Sequence, residues 1–166
     1  MDPTASEPDV VVRPLVEDDL DAVVELSLLA WAPVFASFAK VLGDDIYPRV
    51  YPDWSTSQAR AVREVCAGDH VFVADVSGAV AGFSAVVIRA DEPRTGEIDM
   101  LAVDPDHQRH GVGSALIAHS VEYLRGAGAV LVEVATGGDL AHAPARLAYE
   151  KAGFTPLPLV RYYQAL

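Results

Sequence analysis

A turn carrying two glycines is the feature of this sequence with the clearest chemical potential. Gly111 and Gly113 stand between a β-rich run and an amphipathic segment, so they mark the passage from a strand into a helix. The first N–H groups of a helix have no partner within it, and with the helix dipole they attract anions such as phosphate. We therefore predict an anion-binding loop, although two glycines at this spacing also suit a turn that only satisfies packing. The loop comprises Gln108, Arg109, His110, Gly111, Val112, Gly113 and Ser114.

The loop differs from two common nucleotide-binding patterns. No Gly-Lys-Ser or Gly-Lys-Thr follows it, which excludes a phosphate loop of the Walker type. A dinucleotide-binding fold would require a third glycine near the helix and an initial strand–helix–strand unit, and the sequence shows neither. The sequence therefore argues against an ordinary ATP- or NAD-binding domain.

Two motifs give the loop a more specific interpretation. The first is Leu101-Ala102-Val103-Asp104-Pro105 followed by Gln108-x-x-Gly111-x-Gly113, and the second is Tyr149-Glu150-Lys151-Ala152-Gly153-Phe154. In this order the two motifs resemble the GNAT superfamily, the acyl-CoA-dependent N-acetyltransferases. The resemblance extends from Val10 to the C-terminus and includes Arg13-Pro14, the run Val73-Ala74-Asp75 to Gly78, and Gly82-Phe83.

The resemblance implies that acetyl-CoA is the co-substrate and that its diphosphate lies on the amides of residues 109–114. It also implies that the strand end at Leu101, Ala102 and Val103 pairs through its backbone with the pantetheine arm. The physics agrees, since a strand that splays from a parallel neighbour leaves unpaired N–H and C=O groups for the pantetheine amides. His142 stands where the family often has Asn, and it can still hydrogen-bond the pantetheine arm or a neighbouring loop.

Tyr149 corresponds, by this resemblance, to a tyrosine that many members of the family hold close to the sulfur of coenzyme A. A phenol with an ordinary pKa of about 10 is suited to protonating a departing thiolate. The alternative is a core tyrosine on a helix whose packing face is formed by Ala145, Ala148 and Ala152. The resemblance favours the role of a general acid.

Glu97 and Asp99 are the candidate general bases. Glu97 lies 11 residues before Gln108, an offset that resembles the general-base glutamate of the histone-acetylating branch of the family. Strand alternation predicts that Glu97, Asp99, Leu101 and Val103 share one face. Carboxylates on a central strand are costly unless they are hydrogen-bonded or open to a cleft, which favours a functional role. The alternative is that Glu97 is a solvated acid at the start of the strand, with Asp99 as the substitute base.

Composition argues against several other classes of function. The chain has 166 residues, 12 basic and 24 acidic side chains and a formal net charge of −12, so it offers no general surface for nucleic acid. Its five histidines show no metal-binding spacing and Cys66 is its single cysteine, so we expect neither a metal site nor a disulfide. The uncharged residues 76–88 are too few to span a bilayer, and the N-terminus lacks the pattern of a signal peptide. These features predict a cytoplasmic protein without a membrane segment.

The hydrophobic periodicity predicts one domain over residues 10–166 after a flexible acidic tail at residues 1–9. Its elements follow as strand, helices, three antiparallel strands, helix, strand, helix, strand. This order gives a mixed α+β fold: a mostly antiparallel twisted sheet of six to seven strands with one parallel pairing at its centre and helices on both faces. Residues 31–54 are aromatic and irregular, and they either wall the acceptor site or form core.

Particular residues define the predicted turns and strands. We predict a hairpin turn at Ser77-Gly78 and a turn at residues 91–95. A last helix is opened by Pro144 and closed by Gly153. The two further strands are a buried central strand at residues 130–135 and a final strand at residues 160–166. The final strand is apolar and is able to pair with a second copy of the chain. We therefore expect a monomer or a homodimer.

Together these features predict an N-acetyltransferase that moves an acetyl group from acetyl-CoA to a primary amine by direct attack within a ternary complex. Glu97 or Asp99 would accept the proton of the amine, and Tyr149 would protonate the thiolate of coenzyme A. The net charge favours a small cationic amine as acceptor, while an amino acid, a protein N-terminus or a lysine also fits. The alternative is a non-catalytic acyl-CoA-binding or sensor module on the same fold.

Overall fold

A five-stranded sheet organises the chain, which the computed structural model describes over residues 9–90 and 94–166. The strands are Val10–Pro14 (β1), Val71–Val76 (β2), Ala79–Ile88 (β3), Thr95–Val103 (β4) and Leu131–Val134 (β5). The helices are Leu20–Val50 (α1), Trp54–Cys66 (α2), Val112–Gly126 (α3) and Ala143–Lys151 (α4), with short 3-10 turns at Glu17–Asp19, Pro105–His107 and Leu140–His142. The strands lie in chain order, antiparallel from β1 to β4 and parallel between β4 and β5. Most of the predicted tail and most of the turn at residues 91–95 lie outside the described residues.

The sheet is smaller than predicted, with five described strands rather than six to seven. Its parallel pairing lies at the edge and not at the centre, because β5 has β4 as its single neighbour among the described strands. The buried central strand predicted at residues 130–135 is therefore wrong. Leu131 and Glu133 face solvent, while Val132 and Val134 are half-buried. A short apolar run does not distinguish a strand covered on both faces from a strand covered on one.

The final strand predicted at residues 160–166 is also wrong. Residues 155–166 form no strand, and their apolar side chains face solvent, with Leu159 84% exposed. Pro156 and Pro158 precede the predicted strand, and proline has no N–H to donate to a sheet ladder. The chain therefore does not return to the sheet after α4.

Two local predictions are confirmed. Ser77 and Gly78 join β2 to β3 and are both left-handed, with φ of 54° and 86°, as the tightest hairpin turns require. Asp75 accepts a hydrogen bond from the Gly78 N–H at 2.7 Å, which stabilises the turn. α4 carries Pro144 in its first turn and ends before Gly153, whose φ of 91° is left-handed. Each turn therefore has the residue type that its backbone conformation needs.

Helices cover both faces of the sheet, as predicted. α1 and α2 pack on one face, where the core comprises Val23, Val24, Leu26, Val62, Cys66, Val71, Val73, Phe83, Ala85 and Ala102. α3 packs on the other face, where two adjoining clusters comprise Ala74, Val76, Ala81, Val112 and Leu116, and Phe72, Val86, Ile98 and Leu124. Because β4 lies between the two layers, its side chains are divided between two cores.

α1 contains most of the aromatic stretch that was expected to be irregular. The helix continues to Val50 through Pro33 and Pro48, with a break at Gly43, whose φ of 71° is not helical. The rings at this end of the helix form one cluster: Phe35, Phe38, Tyr47, Tyr51 and Trp54. Packing between these aromatic rings offsets the backbone hydrogen bonds that the two prolines remove from the helix.

The helical stretch Glu17–Val50 is also long and apolar enough, by length and composition, to cross a membrane. An 18-residue window within it has a mean hydropathy of 1.7, and 33% of that window is buried in the fold. The buried part includes Val23, Val24 and Leu26, which pack on the sheet. A helix in the core of a protein also passes this test of length and composition. The segment that bears on the prediction of no membrane span is therefore α1, and not the uncharged residues 76–88.

Arg13 ties β1 to the start of α1 through a partly buried ion pair. Its guanidinium donates to both carboxylate oxygens of Asp19, at 2.7 and 3.0 Å, and to Asp75 of β2 at 3.3 Å. The Val16 N–H also donates to Asp19, at 2.9 Å, and the Asp19 side chain is only 8% exposed. The hydrogen bonds from Arg13 and Val16 outweigh burial and lower the pKa of Asp19.

We expect Asp19 to make the folded state sensitive to acid. Because its pKa is lower in the folded chain than in the unfolded chain, its stabilising effect is complete above about pH 4 and is lost as the pH falls through the folded value. Guanidinium unfolding of Asp19→Asn should show a loss of about 1–3 kcal/mol near neutral pH and a weaker dependence on pH below it. Asp18→Asn, which changes an exposed neighbouring carboxylate, is the control. The same acid dependence in Asp19→Asn as in the wild-type chain would contradict this role.

Candidate active site

β4 and β5 diverge part-way along their length. Their parallel ladder joins residues 95–98 to Leu131–Val134. Beyond this ladder β4 continues to Val103, with β3 as its single partner among the described strands. A gap therefore opens between β4 and β5 at the carboxyl end of β4.

A β-bulge in β4 marks the point where the gap begins. Met100 faces Ala85 of β3, whereas Ile98 faces the adjacent Val86, so Asp99 is an extra residue in the ladder. A bulge bends its strand and increases the local twist. This distortion accounts for the separation of β4 from β5 after Ile98.

Two residues of β4 direct backbone groups toward the gap. The Asp104 N–H donates to the Ala81 carbonyl of β3 at 2.9 Å. Because hydrogen-bonded pairs alternate in an antiparallel ladder, Leu101 and Val103 point their N–H and C=O groups away from β3. The Val103 carbonyl accepts from Gln108 Nε2 at 3.3 Å, in agreement with that orientation. An extended ligand that contains amides can pair with such groups.

Ala102 has no such group to offer toward the gap. Its side chain is buried in the core beneath α1. Its carbonyl lies against β3, where a Cβ on Gly82 would come within 2.8 Å of the oxygen. Of the three strand-end residues predicted to pair with pantetheine, the geometry leaves that role to Leu101 and Val103.

The bulge also decides which side chains share a face of β4. Leu101 and Val103 pack in the cores beneath α3. Asp99 lies on the opposite face, where it lines a cleft with Val65 of α2. The prediction that Glu97, Asp99, Leu101 and Val103 share one face is therefore wrong, because alternation restarts after the extra residue.

The turn with two glycines lies directly beside this strand end. α3 begins at Val112, whose buried side chain anchors the turn in the core. Gly111 is left-handed, with φ of 80°, and its carbonyl accepts from the Ala115 N–H at 2.9 Å. The N–H groups of the three intervening residues have no acceptor within the helix. A Cβ on Gly113 would lie 3.6 Å from Val103 Cγ2, so the turn and the strand end are neighbours.

The outer residues of the loop stand at the surface, and they include the cationic side chain of Arg109. Gln108, Arg109, His110 and Ser114 are exposed. Arg109 adopts a left-handed conformation, with φ of 64°, which is uncommon for a residue with a side chain. Arg109 thus adds a cationic residue next to the free N–H groups at the start of α3, an arrangement that suits an anion.

The two predicted bases differ in their surroundings. Glu97 pairs with Arg89, which also contacts Glu133 of β5 at 3.0 Å, so the Glu97 carboxylate is part of an ion-pair network. Asp99 is exposed and lines a cleft of about 290 Å³ together with Asp69. Partial desolvation and the nearby Glu97 raise the pKa of Asp99. Asp99 is therefore the more accessible of the two carboxylates.

Tyr149 lies on α4 against Phe154, with 5.7 Å between the ring centroids. Ala145, Ala148 and Tyr149 are half-buried, whereas Ala152 is exposed. Burial raises the pKa of Tyr149 to about 12. The phenol therefore stays protonated at neutral pH, which is the state that a general acid requires.

His142 belongs to a compact arrangement between β5 and α4. Its Nδ1 forms a hydrogen bond with the Asp139 carboxylate, and the two side chains are only 15% and 11% exposed. Arg146 donates to the carbonyls of Gly137 and Asp139, at 2.6 and 2.8 Å. The ring of Phe38 on α1 lies 5.7 Å from the His142 ring, measured between centroids. The imidazole is thus held by its own loop, by α4 and by α1.

Three residues of this arrangement are absent from the sequence-based site: Gly137, Asp139 and Arg146. Although burial opposes ionisation, hydrogen bonds from Ser37 and His142 hold the pKa of Asp139 below its ordinary value. A Cβ on Gly137 would clash with His142 Nδ1 and with the Asp139 carboxylate, so glycine lets the backbone approach this pair closely. An Asp three residues before a His at the start of a helix, directly after two glycines, is the sequence signal that identifies the arrangement.

The predicted site residues form two groups in the structure. Residues 108–114 meet the strand end at Val103, whereas His142 and Tyr149 lie at the start and near the end of α4. Within residues 9–90 and 94–166, no group of three His, Cys, Asp or Glu residues is placed to hold a metal ion. Burial raises the pKa of Cys66 to about 11, which keeps this thiol protonated and unreactive.

Several known proteins are similar to this chain in sequence. A mycothiol acetyltransferase of Beutenbergia cavernae is 38% identical over 76 residues, which cover 46% of this chain and 25% of that protein. The ribosomal protein bS18-alanine N-acetyltransferase of Escherichia coli is 35% identical over 89 residues, which cover 52% and 55% of the two chains. An uncharacterized N-acetyltransferase of Methanocaldococcus jannaschii is 27% identical over 154 residues, which cover 90% and 62%. The chain thus spans between 25% and 62% of the length of these relatives.

Solved structures share the fold. The aminoglycoside N-acetyltransferase AAC(6')-Iy in complex with CoA has a TM-score of 0.62 at 16% identity, covering 97% of each chain. A GCN5-related N-acetyltransferase from Ralstonia eutropha has a TM-score of 0.64 at 18% identity, covering 95% of this chain and 99% of that one. Residues 39–154, more than half of the chain, match the family described as acetyltransferase (GNAT) family. The resemblance inferred from the two motifs is thereby confirmed, and the chain belongs to the GNAT acetyltransferase family.

Proposed function

We propose that this protein transfers the acetyl group of acetyl-CoA to a primary amine by direct attack within a ternary complex. One observation carries the proposal: backbone groups of Leu101 and Val103 that pair with no described strand face a gap in the sheet beside the free N–H groups of α3. Pantetheine amides suit the first set of groups, and a diphosphate suits the second. A Cβ on Gly111 would meet nothing within 4 Å, and a Cβ on Gly113 would meet only Val103, so both glycines border open space. These residues therefore fit acetyl-CoA.

The relatives support the donor and suggest several acceptors. AAC(6')-Iy forms a complex with CoA, and the names of the relatives refer to aminoglycosides, mycothiol and an alanine of ribosomal protein bS18. We propose a small cationic amine for this chain, because its formal net charge is −12 and the carboxylates of Asp69 and Asp99 line the cleft next to the bulge. We leave the oligomeric state as monomer or homodimer.

The residues of this chain divide the chemistry between binding, charge stabilisation and proton transfer. The first turn of α3 and Arg109 would hold the diphosphate and so position an acetyl group that lies far from these contacts. An N–H of Leu101 or Val103 would stabilise the charge that develops on the acetyl oxygen. Tyr149, which burial keeps protonated, would give its proton to the departing thiolate.

The strand carboxylates are proposed to act on the ammonium group of the acceptor. Glu97 is engaged by Arg89, whereas Asp99 has no ion pair within the described residues. Asp99 is therefore the strand carboxylate that is open to an incoming cation. In the cleft that it lines with Asp69, its carboxylate would attract the ammonium group.

Calorimetry followed by thiol-release assays tests the proposal. The chain should bind CoA more tightly than ATP or NAD, and it should release CoA thiol with at least one amine among spermidine, kanamycin, free lysine and a peptide with N-terminal alanine. Binding of CoA without turnover on any of these amines would instead indicate a non-catalytic binding module. Tighter binding of ATP or NAD would contradict the assignment of the loop.

Tyr149→Phe should lower kcat at least tenfold while leaving the affinity for CoA unchanged, since the ring against Phe154 is kept and only the proton donor is lost. The measurement is steady-state kinetics on the best acceptor of the panel. Tyr162→Phe, which removes the hydroxyl of an exposed tyrosine outside the sheet, is the control and should behave as the wild-type chain. An unchanged kcat in Tyr149→Phe would remove Tyr149 from the mechanism.

A further inference from the structure

We infer that His142 and Asp139 form the proton-accepting pair for the amine, with His142 Nε2 as the atom that takes the proton. Because it concerns the same acetyl transfer, the inference rests on the proposed function. It assigns the base to the start of α4 in place of the strand carboxylates Glu97 and Asp99. It also gives His142 a role beyond the hydrogen bond to the co-substrate that the resemblance implies.

The hydrogen bond to Asp139 determines which nitrogen of His142 is available. An ionised carboxylate only accepts hydrogen bonds, so Nδ1 must carry the proton that they share. In the neutral ring the lone pair is then on Nε2. Nε2 of His142 has no hydrogen-bond partner among the described residues. Two other ring nitrogens, His107 Nδ1 and His119 Nε2, are both buried and without a partner, and His142 Nε2 is not among them. Nε2 is therefore not buried, and its lone pair is free to accept a proton.

The surroundings of the pair hold the imidazole in one orientation. Arg146 on α4 donates to the carbonyls of Gly137 and Asp139 and is a charged group that faces the pair on that side. From α1 the pair is faced by Ser37 and Phe38, which are uncharged. Burying the Asp139 carboxylate is costly, and its hydrogen bonds with Ser37 and His142 offset this cost. These bonds fix the carboxylate and, through it, the position of the His142 ring.

The pair also lies on the same side of α4 as the proposed acid. Tyr149 follows His142 by seven residues, which is two helical turns, so both side chains lie on the same side of α4, about 10 Å apart along its axis. The loop that carries Asp139 directly follows β5, the strand that borders the gap. By contrast, Glu97 forms an ion pair with Arg89, the residue directly after β3. The base thus lies in the turn that leads directly into the helix carrying the acid.

The proton transfers balance with this pair as the base. A primary ammonium gives one proton to His142 Nε2 and becomes a neutral amine. Its nitrogen forms a bond to the acetyl carbon while the carbon–sulfur bond breaks, and the second proton released from nitrogen reaches the thiolate sulfur through Tyr149. The imidazolium then returns its proton to water, so the products are the amide, the thiol of CoA and one proton.

The protonation of His142 can be measured without any acceptor. Long-range 1H–15N correlation spectra of the labelled full chain, with His142 assigned through the His142→Asn variant, should show the neutral ring protonated on Nδ1. Asp139→Asn should reduce this preference, because an amide can also donate to the ring. A neutral ring protonated on Nε2 in the wild-type chain would overturn the inference.

Kinetics on two small amines test the role as a base. His142→Asn keeps a donor for Asp139 but has no proton-accepting nitrogen. With ethylamine, which is an ammonium ion at neutral pH, kcat/KM should fall about 100-fold or more. With 2,2,2-trifluoroethylamine, whose fluorines leave the amine largely neutral, the loss should be several-fold smaller, and KM for acetyl-CoA should change less than about twofold. Equal losses on both amines, or a raised KM for acetyl-CoA with unchanged kcat, would overturn the base role.

Two adjacent glycines provide a matched test of the geometry. Gly137→Ala should reproduce the kinetic defect of His142→Asn, because its Cβ would displace the imidazole, whereas a Cβ on Gly138 meets nothing within 4 Å and Gly138→Ala should be silent. Identical behaviour of the two variants would contradict the arrangement. If the wild-type chain binds CoA and acetylates no amine, the proposed function fails and the base role falls with it. If it acetylates amines and His142→Asn retains full activity, only the base role fails.

Discussion

Gly113→Val is expected to lower the affinity for CoA at least tenfold, or about 1.4 kcal/mol, while the chain stays folded. A Cβ at this position meets only Val103 Cγ2, at the ordinary contact distance of 3.6 Å, and Gly113 has no left-handed φ that would strain a side chain. The new methyl groups would instead occupy the space between the helix N-terminus and the open edge of β4. Gly111 is the poorer probe, because its φ of 80° would strain any replacement.

The affinity for CoA, from calorimetry, and the melting temperature are measured on the same preparations. Leu116→Ala, which truncates a fully buried side chain of α3, should cost about 2–5 kcal/mol of stability and so shows what damage to the core looks like. Val132 is less suitable for this comparison because it is half-buried in an edge strand. If Gly113→Val remains folded and binds CoA as the wild-type chain does, the loop is not the diphosphate site.

Gly82→Ala should destabilise the fold by about 3 kcal/mol and lower the melting temperature by roughly 6–12 °C. A Cβ on Gly82 would lie 2.8 Å from the Ala102 carbonyl oxygen and 3.1 and 3.2 Å from side-chain atoms of Leu116 and Val112. The oxygen belongs to the ladder between β3 and β4, so it cannot move without loss of hydrogen bonds. The glycine therefore allows α3 to pack closely on the strands that flank the site.

The same substitution at the end of α3 is the control. A Cβ on Gly126 would meet nothing within 4 Å, so Gly126→Ala should leave the melting temperature within about 2 °C of the wild-type value. Since Val112 begins α3 and is one of the displaced contacts, Gly82→Ala should also weaken CoA binding. An unchanged melting temperature in Gly82→Ala would show that α3 is able to shift away at little cost.

The turns and the passage from β4 into α3 could be predicted because their signals are local. Ser77-Gly78, Gly111 and Gly153 each stand where the backbone is left-handed or a helix begins or ends, and short-range sterics determine such positions. The faces of β4 could not be predicted, because the bulge at Asp99 depends on the pairing with β3 and no residue type announces it.

The number and order of the strands depend on contacts between distant parts of the chain. The apolar run of residues 130–135 is compatible with a central strand, and only the absence of a further described partner makes β5 an edge. The arrangement around His142 was missed for a similar reason. Asp139 and His142 are close in sequence, but their burial depends on Ser37 and Phe38 of α1.

The pairing of β1 with β2 has a consequence for the folding of the chain. Pro14 pairs with Phe72, and both α1 and α2 lie between these residues in sequence. By contrast, β2, β3 and β4 are joined by short connections, so they form contacts of low sequence separation. Closing a long loop costs entropy before the contacts repay it. We therefore expect the β2–β4 meander to order first and β1, with the Arg13–Asp19 pair, to join it late on the folding pathway.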